Sequence, residues 1–191
     1  HLIVKAAGHG LDRILLLAGH HAGVVEAWLV DSAIATRLGV EIALSVEPQP
    51  LGTGGALIHA RARLDDAFLL VNGDTWFDFD WRVLADLAAF PAALALREIP
   101  TADRYETVEL DGDRVARFAP RTGTPTPGLI NGGVYRLTRD ALPAWEGVLS
   151  LETQLLPTLC AQGRLGGRAF AGTFIDIGVP DSYALAQTLL A

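Results

Sequence analysis

The apolar positions of the chain occur in two spacings that alternate along most of its length. Short runs that are apolar throughout indicate strands covered on both faces, whereas apolar positions three and four residues apart indicate amphipathic helices. The pattern predicts strands at 13–18, 40–46, 67–72, 92–96, 107–110, 114–118, 129–135 and 173–175. It predicts helices at 2–10, 24–30, 54–64, 81–89, 151–161 and 180–190. Strands that alternate with helices are typical of βαβ units and a mainly parallel sheet.

The pattern changes after Pro100, where a β-hairpin replaces the alternation. Asp111-Gly112-Asp113 separates two short strands and is a hairpin signal. Residues 119–128 are rich in Pro, Gly and Thr and are predicted to form a loop. We therefore predict a single α/β domain over residues 1–191. We expect a Rossmann-like three-layer sandwich with a mainly parallel, mixed central sheet and a smaller, substrate-side β layer contributed by 101–191.

Composition and charge exclude several classes of protein. The net charge of −7 and the single lysine, Lys5, argue against a nucleic-acid surface, which needs clustered basic residues. No apolar run approaches the about 20 residues of a membrane-spanning helix, so we expect no membrane partner. The single cysteine, Cys160, excludes an internal disulfide and fits a reducing cytoplasm. Its Leu-rich helical surroundings predict a position in the core.

Two aspartates stand at the ends of predicted strands. Asp74 closes the motif Asn72-Gly73-Asp74, and Asp176 follows the run at 173–175. The carboxyl ends of strands are where α/β sheets build ligand sites, although an aspartate there can also simply cap a loop. Together the two can share one Mg²⁺, which in phosphoryl transfer is held by one or two carboxylates plus substrate phosphates.

A glycine-rich turn at 52–55 follows Glu47. It is not a Walker A loop, because no Gly-Lys-Ser/Thr follows, and Leu57 occupies the place of the last glycine of a dinucleotide fingerprint. Its glycines either permit a tight turn or let the backbone near Gly52 approach a nucleobase. Glu47 carries an acceptor-only carboxylate, which favours guanine because guanine offers adjacent N–H donors on one edge.

Two further polar residues are candidates for binding sugar hydroxyls. Asn131, followed by Gly132 and Gly133, lies near the start of a predicted strand, where Asn-Gly is equally a good turn. Glu152 either contacts a hydroxyl or favours the start of its helix electrostatically.

As a set, these motifs occur in the order seen in sugar-1-phosphate nucleotidyltransferases, and the resemblance covers nearly the whole chain. It rests on residues 47–56, 72–74, 131–135, 150–152 and 176–183. The chain looks most similar to the D-glycero-α-D-manno-heptose 1-phosphate guanylyltransferases, on Arg104-Tyr105, Thr107-Val108 and residues 128–133 and 174–180.

The resemblance implies a GT-A-like fold with a nucleotide-binding half at 1–100 and a sugar-binding half at 101–191. It implies transfer of GMP from GTP to a sugar 1-phosphate, a heptose 1-phosphate in the first place, with release of pyrophosphate. The nucleotide-sugar product would serve the synthesis of a cell-surface glycan, such as lipopolysaccharide or capsule.

The resemblance also implies a role for each site residue. The catalytic residues would be Asp74 and Asp176, which hold Mg²⁺, and Arg121, which contacts the phosphate of the sugar substrate. The nucleotide would be bound by Glu47, Leu51, Gly52, Thr53, Asn72 and Gly73, and the sugar by Tyr105, Asn131, Gly132 and Glu152.

The sequence departs from the family pattern at three places. Pro120-Arg121 replaces a Glu-Lys pair, and Glu106 replaces a glycine. The family's Gly-rich loop that grips the triphosphate would precede His1. Because the sequence also contains no methionine, we expect the native polypeptide to include further residues. These departures leave a non-catalytic nucleotide-sugar-binding regulatory subunit as one alternative. A mannose-1-phosphate guanylyltransferase or a uridylyltransferase is another, and a homo-oligomer is compatible with the sequence.

Overall fold

The structure, a computed structural model, describes residues 1–103, 105–121 and 123–190. Contacts between Cα atoms divide the chain into two compact units. The first unit comprises His1–Leu64 and Leu142–Leu155, and the second comprises Asp65–Ala141 and Leu156–Ala191. The single domain with halves at 1–100 and 101–191 stays a prediction.

The first unit contains a pair of parallel strands and several short helices. Its elements in chain order are α1 (Leu2–Gly8), β1 (Arg13–Ala18), α2 (Ala22–Ser32), α3 (Ile34–Leu38), β2 (Glu41–Val46), α4 (Gly52–His59), a 3₁₀ turn (Arg61–Arg63) and a π-helical turn (Leu151–Leu155). The two strands pair in parallel from Arg13 opposite Glu41 to Ala18 opposite Val46. Gly39 ends α3 in the left-handed conformation (φ +67°), which a glycine adopts without strain. The predicted strand at 13–18 is confirmed to the residue.

The second unit is built on a mixed β-sheet. Its strands are β3 (Ala67–Val71), β4 (Thr75–Phe77), β5 (Ala92–Ile99), β6 (Thr107–Asp111), β7 (Arg114–Ala119), β8 (Gly128–Thr138), β9 (Leu165–Phe170) and β10 (Phe174–Asp176). Among the described residues, six of them form one sheet in the order β3-β8-β5-β9-β7-β6. The other two, β4 and β10, form a separate antiparallel ribbon. Helices α5 (Leu156–Ala161) and α6 (Pro180–Leu189) and 3₁₀ segments at Trp81–Leu87 and Arg139–Ala141 complete the unit.

The prediction of an α/β fold with a mixed central sheet is confirmed, but parallel pairings are fewer than the alternation of elements predicted. In the described part of the second unit, β5 and β9 pair in parallel, while β3 with β8, β5 with β8, β6 with β7 and β7 with β9 pair antiparallel. The reason is that β8 returns between β3 and β5. An apolar strand shows the same sequence pattern whether it pairs parallel or antiparallel to its neighbour, so the pattern does not predict the direction of pairing.

Several element boundaries also differ from the prediction. The helix predicted at 81–89 is a 3₁₀ segment, whose first turn is capped by the Asp80 carboxylate accepting the N–H of Arg82 at 3.0 Å. The strand β9 was not predicted, because two of its six residues, Gly166 and Gly167, are glycines that weaken a strand pattern. The hairpin of β6 and β7 around Asp111-Gly112-Asp113 is confirmed.

The core of the second unit lies on the central strands. Leu94, Leu96, Tyr135 and Leu137 are fully buried there. Cys160 is buried as predicted, and this burial raises the pKa of its thiol. In the described residues, no helix has the length and apolar character that crossing a membrane requires.

Candidate active site

The ribbon of β4 and β10 brings the main chain at Asp74 close to the main chain at Asp176 and Ile177 in the second unit. Asp176 lies opposite Thr75 in the antiparallel register. The N–H of Ile177 donates to the carbonyl oxygen of Asp74 at 2.9 Å. Asp74 and Asp176 are therefore offset by one residue rather than directly opposed. Main-chain pairing therefore places two aspartates from distant parts of the sequence at one end of the ribbon.

The donor chemistry of the two carboxylates suits a hard divalent cation. Asp74 Oδ1 accepts the hydroxyl proton of Thr75 at 3.3 Å, and Asp176 Oδ1 accepts the N–H of Gly178 at 2.7 Å. Both side chains are exposed, and the second oxygen of each carboxylate makes no hydrogen bond within the described residues. No group of three or more His, Cys, Asp or Glu suited to a metal occurs among these residues. Two carboxylates without further protein ligands are the donor set expected where Mg²⁺ also takes substrate phosphates and water.

Aromatic side chains hold the ribbon in place. The Phe77 ring lies edge-on to Phe174 at 5.6 Å between centroids, and Phe79 stacks on Phe170 at 4.3 Å. Beside them the chain passes very close to itself at Gly172 (φ +144°), where a Cβ would lie 1.9 Å from the carbonyl oxygen of Asp78. Sequence reasoning missed Gly172, because nothing local to it signals the approach of Asp78.

A bulge in β8 explains the Asn131-Gly132-Gly133 motif. The pairing of β5 with β8 shifts register between Leu94 and Leu96, and Gly133 takes the left-handed conformation (φ +71°). Asn131 Oδ1 accepts the N–H of Gly133 at 3.0 Å, while its Nδ2 donates to the hydroxyl of Tyr135 at 2.8 Å. The amide thereby stabilises the bulge through one donor and one acceptor. Its contact with a sugar stays a prediction.

Gly132 and Gly73 belong to the same region of the second unit. At Gly132 a Cβ would lie 2.6 Å from the Phe77 ring, so the glycine is needed for this packing. Gly73 is exposed, and a methyl group added there would meet nothing within 4 Å, which leaves room for a ligand. Asn72 connects the end of β3 to β8, because its N–H donates to the carbonyl oxygen of Gly133 at 2.8 Å.

In the first unit, Glu47 is half-buried at the end of β2. Its Oε2 accepts the N–H of Leu51 at 3.0 Å, and its Oε1 lies over Gly19, where a Cβ would be only 2.3 Å away. Within the described residues Oε1 has no hydrogen-bond partner. Glu47 is thus oriented by the backbone through one oxygen and can accept hydrogen bonds from a ligand through the other.

The glycine-rich turn at the start of α4 packs against residues 147–149. Gly54 and Gly55 donate their N–H groups to the carbonyl oxygen of Leu149 at 2.9 and 3.0 Å. A Cβ on Gly52 (φ +74°) would lie 2.7 Å from the same oxygen. The glycines therefore have a structural role that neither sequence interpretation included. Leu51, which precedes them, is buried.

Thr53 and Glu152 meet on the same side of this turn. The Thr53 hydroxyl donates to Glu152 Oε2 at 2.7 Å, and the N–H of Leu151 donates to the Thr53 oxygen at 2.8 Å. Glu152 lies in the π-helical turn Leu151–Leu155. Sequence reasoning had named both residues but for different ligands, and it contained no sign of their contact.

The remaining candidates lie on the exposed loops of the second unit. Tyr105 is 36% exposed, and its N–H donates to the carbonyl of Ala102 at 3.1 Å. Arg121 is exposed and forms no ion pair within the described residues, so its guanidinium is available to a ligand. Arg104, which contributed to the resemblance, lies outside the described residues.

These features define an α/β protein with two aspartates at one end of a β-ribbon and a glycine-rich turn that follows an acidic residue. The chain belongs to the nucleotidyl transferase family, whose model matches residues 1–191, and the protein is therefore a nucleotidyltransferase.

The comparison with individual proteins agrees with this assignment. The chain is 35% identical to a D-glycero-alpha-D-manno-heptose 1-phosphate guanylyltransferase of Campylobacter jejuni, over 91% of this chain and 77% of that protein. It is 34% identical to a protein of the same description from Aneurinibacillus thermoaerophilus, over 93% and 78%. The crystal structure of HddC from Yersinia pseudotuberculosis superimposes with a TM-score of 0.85 at 25% identity, covering 100% of this chain and 84% of that one. The predicted family and fold are confirmed.

Proposed function

We propose that this nucleotidyltransferase transfers GMP from GTP to a heptose 1-phosphate and releases pyrophosphate. The observation that carries the proposal is the hydrogen bond from Ile177 to the carbonyl oxygen of Asp74, because it holds Asp74 and Asp176, two residues suited to the metal of a nucleotide substrate, at the same end of the ribbon. The descriptions of the Campylobacter and Aneurinibacillus relatives support the choice of substrates.

The reaction needs no nucleophilic side chain. An oxygen of the sugar 1-phosphate attacks the α-phosphorus of GTP in line, the bond from that phosphorus to the bridging oxygen breaks, and pyrophosphate leaves with the electron pair. The protein contributes by positioning the reactants and balancing charge. When bound to Asp74 and Asp176, Mg²⁺ would neutralise charge that develops on the phosphate oxygens.

The acidic residue before the glycine-rich turn supports guanine as the base. Glu47 Oε1 has no partner among the described residues, and Gly19 leaves the space beside it open. A carboxylate oriented in this way can accept hydrogen bonds from the N–H groups of guanine. Uracil offers a single N–H between two carbonyls, which would face the negative charge of Glu47 unfavourably.

Three further residues would act on the sugar 1-phosphate. Arg121 would pair with its phosphate, while Glu152 would accept and Asn131 would donate hydrogen bonds to its hydroxyls. Each still has capacity for this. Glu152 Oε1 has no partner among the described residues, and Asn131 keeps one amide hydrogen beyond the bond to Tyr135. The product, a nucleotide-sugar, would supply the synthesis of a cell-surface glycan. The protein itself would act in the cytoplasm, a location that its single cysteine supports.

The test is pyrophosphate release by the protein expressed from its complete gene. GTP and UTP are compared at equal concentration, each with heptose 1-phosphate and with mannose 1-phosphate, in the presence of Mg²⁺. We expect the highest kcat/KM with GTP and heptose 1-phosphate. A preference for mannose 1-phosphate or for UTP would replace the substrate assignment, and the absence of turnover with every pair would support the regulatory-subunit alternative.

A further inference from the structure

We propose that Thr53 is a positioning residue for the sugar 1-phosphate, which acts by orienting the carboxylate of Glu152. The inference rests on the proposed function, in which Glu152 accepts hydrogen bonds from the sugar. It gives Thr53 a task different from the nucleotide contact that the resemblance implies.

The direction of the hydrogen bonds at Thr53 is fixed by chemistry. The N–H of Leu151, 2.8 Å from Thr53 Oγ1, can only donate, so the hydroxyl oxygen is the acceptor there. The single hydroxyl proton is then left for Glu152 Oε2 at 2.7 Å, which as a carboxylate oxygen only accepts. A hydrogen bond to an ionised group is shorter and stronger than one between neutral groups. The Thr53 hydroxyl therefore has no proton left to donate to a nucleobase.

The contacts of Glu152 leave one of its oxygens available. Ser150 Oγ lies 3.4 Å from the same Oε2 that Thr53 contacts, and it also accepts the N–H of Thr153 at 3.1 Å. All the hydrogen bonds of the Glu152 side chain within the described residues thus converge on Oε2. Oε1 therefore accepts no hydrogen bond from these residues. Its direction is set by the hydrogen bonds that hold Oε2 of the same carboxylate. Such an arrangement suits a residue that must present one oxygen to neighbouring sugar hydroxyls.

The backbone around Glu152 depends on Thr53 as well. The segment Leu151–Leu155 is a π-helical turn, in which Leu155 N–H bonds back to the carbonyl of Ser150 at 3.1 Å. Such turns are rare in proteins, and those that do occur are often found at functional sites. Thr53 accepts the N–H that opens this turn, and Thr53 itself sits on the turn whose glycine N–H groups hold Leu149. One side chain therefore supports both the main chain and the carboxylate of the sugar-binding segment.

The consequence is a selective effect on one substrate. Without the hydroxyl, the Glu152 carboxylate can rotate about its side chain, and the contact of Oε1 with the sugar weakens. The loss of one hydrogen bond to a charged group corresponds to about a tenfold change in affinity. We expect that change in KM for the sugar 1-phosphate, with KM for GTP within about twofold of the wild type.

The experiment compares Thr53→Val, Thr53→Ala and Thr53→Ser with Glu152→Gln and with the Thr53→Val/Glu152→Gln double variant. All are made in the protein expressed from its complete gene, with the sugar 1-phosphate that the wild type accepts. Thr53→Val keeps the shape but removes the hydroxyl, whereas Thr53→Ser keeps the hydroxyl. The inference predicts an about tenfold rise in KM for the sugar in Thr53→Val and Thr53→Ala and a near-normal value in Thr53→Ser. It also predicts that Thr53→Val adds little once Glu152→Gln is present.

The inference would be overturned by an equal rise in KM for GTP in Thr53→Val, by additive effects in the double variant, or by a defect in Thr53→Ser as large as in Thr53→Val. Melting temperatures identify any variant that has lost its fold, and Thr53→Ala replaces Thr53→Val in that case. If Glu152→Gln is normal, the assigned role of Glu152 fails and the inference fails with it. If Glu152→Gln is defective and Thr53→Val is not, the inference alone fails. If the wild type turns over no sugar 1-phosphate, the proposed function itself is wrong.

Discussion

The N–H of Ile177 donates a 2.9 Å hydrogen bond to the carbonyl oxygen of Asp74, and so joins two acidic motifs that lie far apart in the sequence. Because the bond is between main-chain atoms, it does not depend on either carboxylate. The aspartates can therefore be altered while the ribbon that carries them remains paired. Substitutions that change only the carboxylates therefore test the metal assignment.

Asp74→Asn and Asp176→Asn should each lower kcat by at least about 100-fold, because each removes one of two anionic oxygen ligands of a divalent cation. The melting temperature should change little, since both side chains are exposed. The measurements are pyrophosphate release at saturating Mg²⁺ and thermal unfolding. Asp31→Asn, an exposed aspartate of helix α2, is the matched control and should behave as the wild type. Near-normal rates in both Asp74→Asn and Asp176→Asn would refute the assignment.

Gly19→Ala should raise KM for GTP by about tenfold with little loss of stability. The added methyl group would lie 2.3 Å from Glu47 Oε1, and the flexible carboxylate, rather than the backbone, would move away. Displacing that oxygen costs a charge-assisted hydrogen bond to the base. Steady-state kinetics with varied GTP checks this result. Gly23→Ala, where a methyl group meets nothing within 4 Å, is the control, and an unchanged KM for GTP in Gly19→Ala would contradict a base-binding role for Glu47.

Gly172→Ala should destabilise the protein by about 3 kcal/mol or more and lower its activity in parallel. Its φ of +144° excludes a side chain without strain, and a methyl group would lie 1.9 Å from the carbonyl oxygen of Asp78. Since this oxygen belongs to the backbone, the ribbon must shift to make room. Urea unfolding measures the loss. Gly163→Ala also falls at a positive φ but in open space, and it should cost only about 1 kcal/mol. Equal losses in the two variants would show that packing at Gly172 is not critical.

The hydrogen bond from Arg168 is the main cause that holds the pKa of Asp113 below its usual value. A lowered carboxyl pKa contributes stability above the ordinary value of about 3.9, and this contribution is lost as the pH falls through the lowered pKa. Arg168→Gln should therefore raise the pKa of Asp113 towards that ordinary value. NMR titration of the carboxyl carbon measures it, and acid unfolding should begin at a higher pH.

Arg168 also lies 3.6 Å from Asp86, so a second variant is needed to separate the two partners. Asp86→Asn leaves the 2.7 Å pair of Arg168 with Asp113 in place and should keep the pKa of Asp113 low. A pKa of Asp113 that is unchanged in Arg168→Gln would mean that another group is responsible.

Local sequence signals predicted those parts of the fold that depend on neighbouring residues. The strand β1 is apolar from Ile14 to Ala18, and Asp111-Gly112-Asp113 carries its own turn chemistry, so both were predicted at the correct positions. The pairing of β8 between β3 and β5 depends on residues far apart in the chain. Neither the spacing of apolar residues nor any turn residue indicates this pairing. The share of parallel pairings was overestimated for that reason.

The candidate site shows the same division. The order of the acidic and glycine motifs was sufficient to predict the family, which the comparison confirmed. The sequence did not show why a glycine is needed at particular positions. Gly52 is needed because the carbonyl oxygen of Leu149 lies beside it, and Gly132 is needed because the ring of Phe77 does. Each of these contacts joins segments that are separated in the sequence. The roles of the site residues towards substrates stay predictions.

Isotope transfer tests the central claim, guanylyl transfer to a sugar 1-phosphate, most directly. Heptose 1-phosphate labelled with ¹⁸O in its non-bridging phosphate oxygens is incubated with GTP, Mg²⁺ and the protein expressed from its complete gene, and the products are analysed by mass spectrometry. The account predicts GDP-heptose and pyrophosphate in equal amounts, with all of the label in GDP-heptose. Label in pyrophosphate, or consumption of GTP without formation of GDP-heptose, would contradict it.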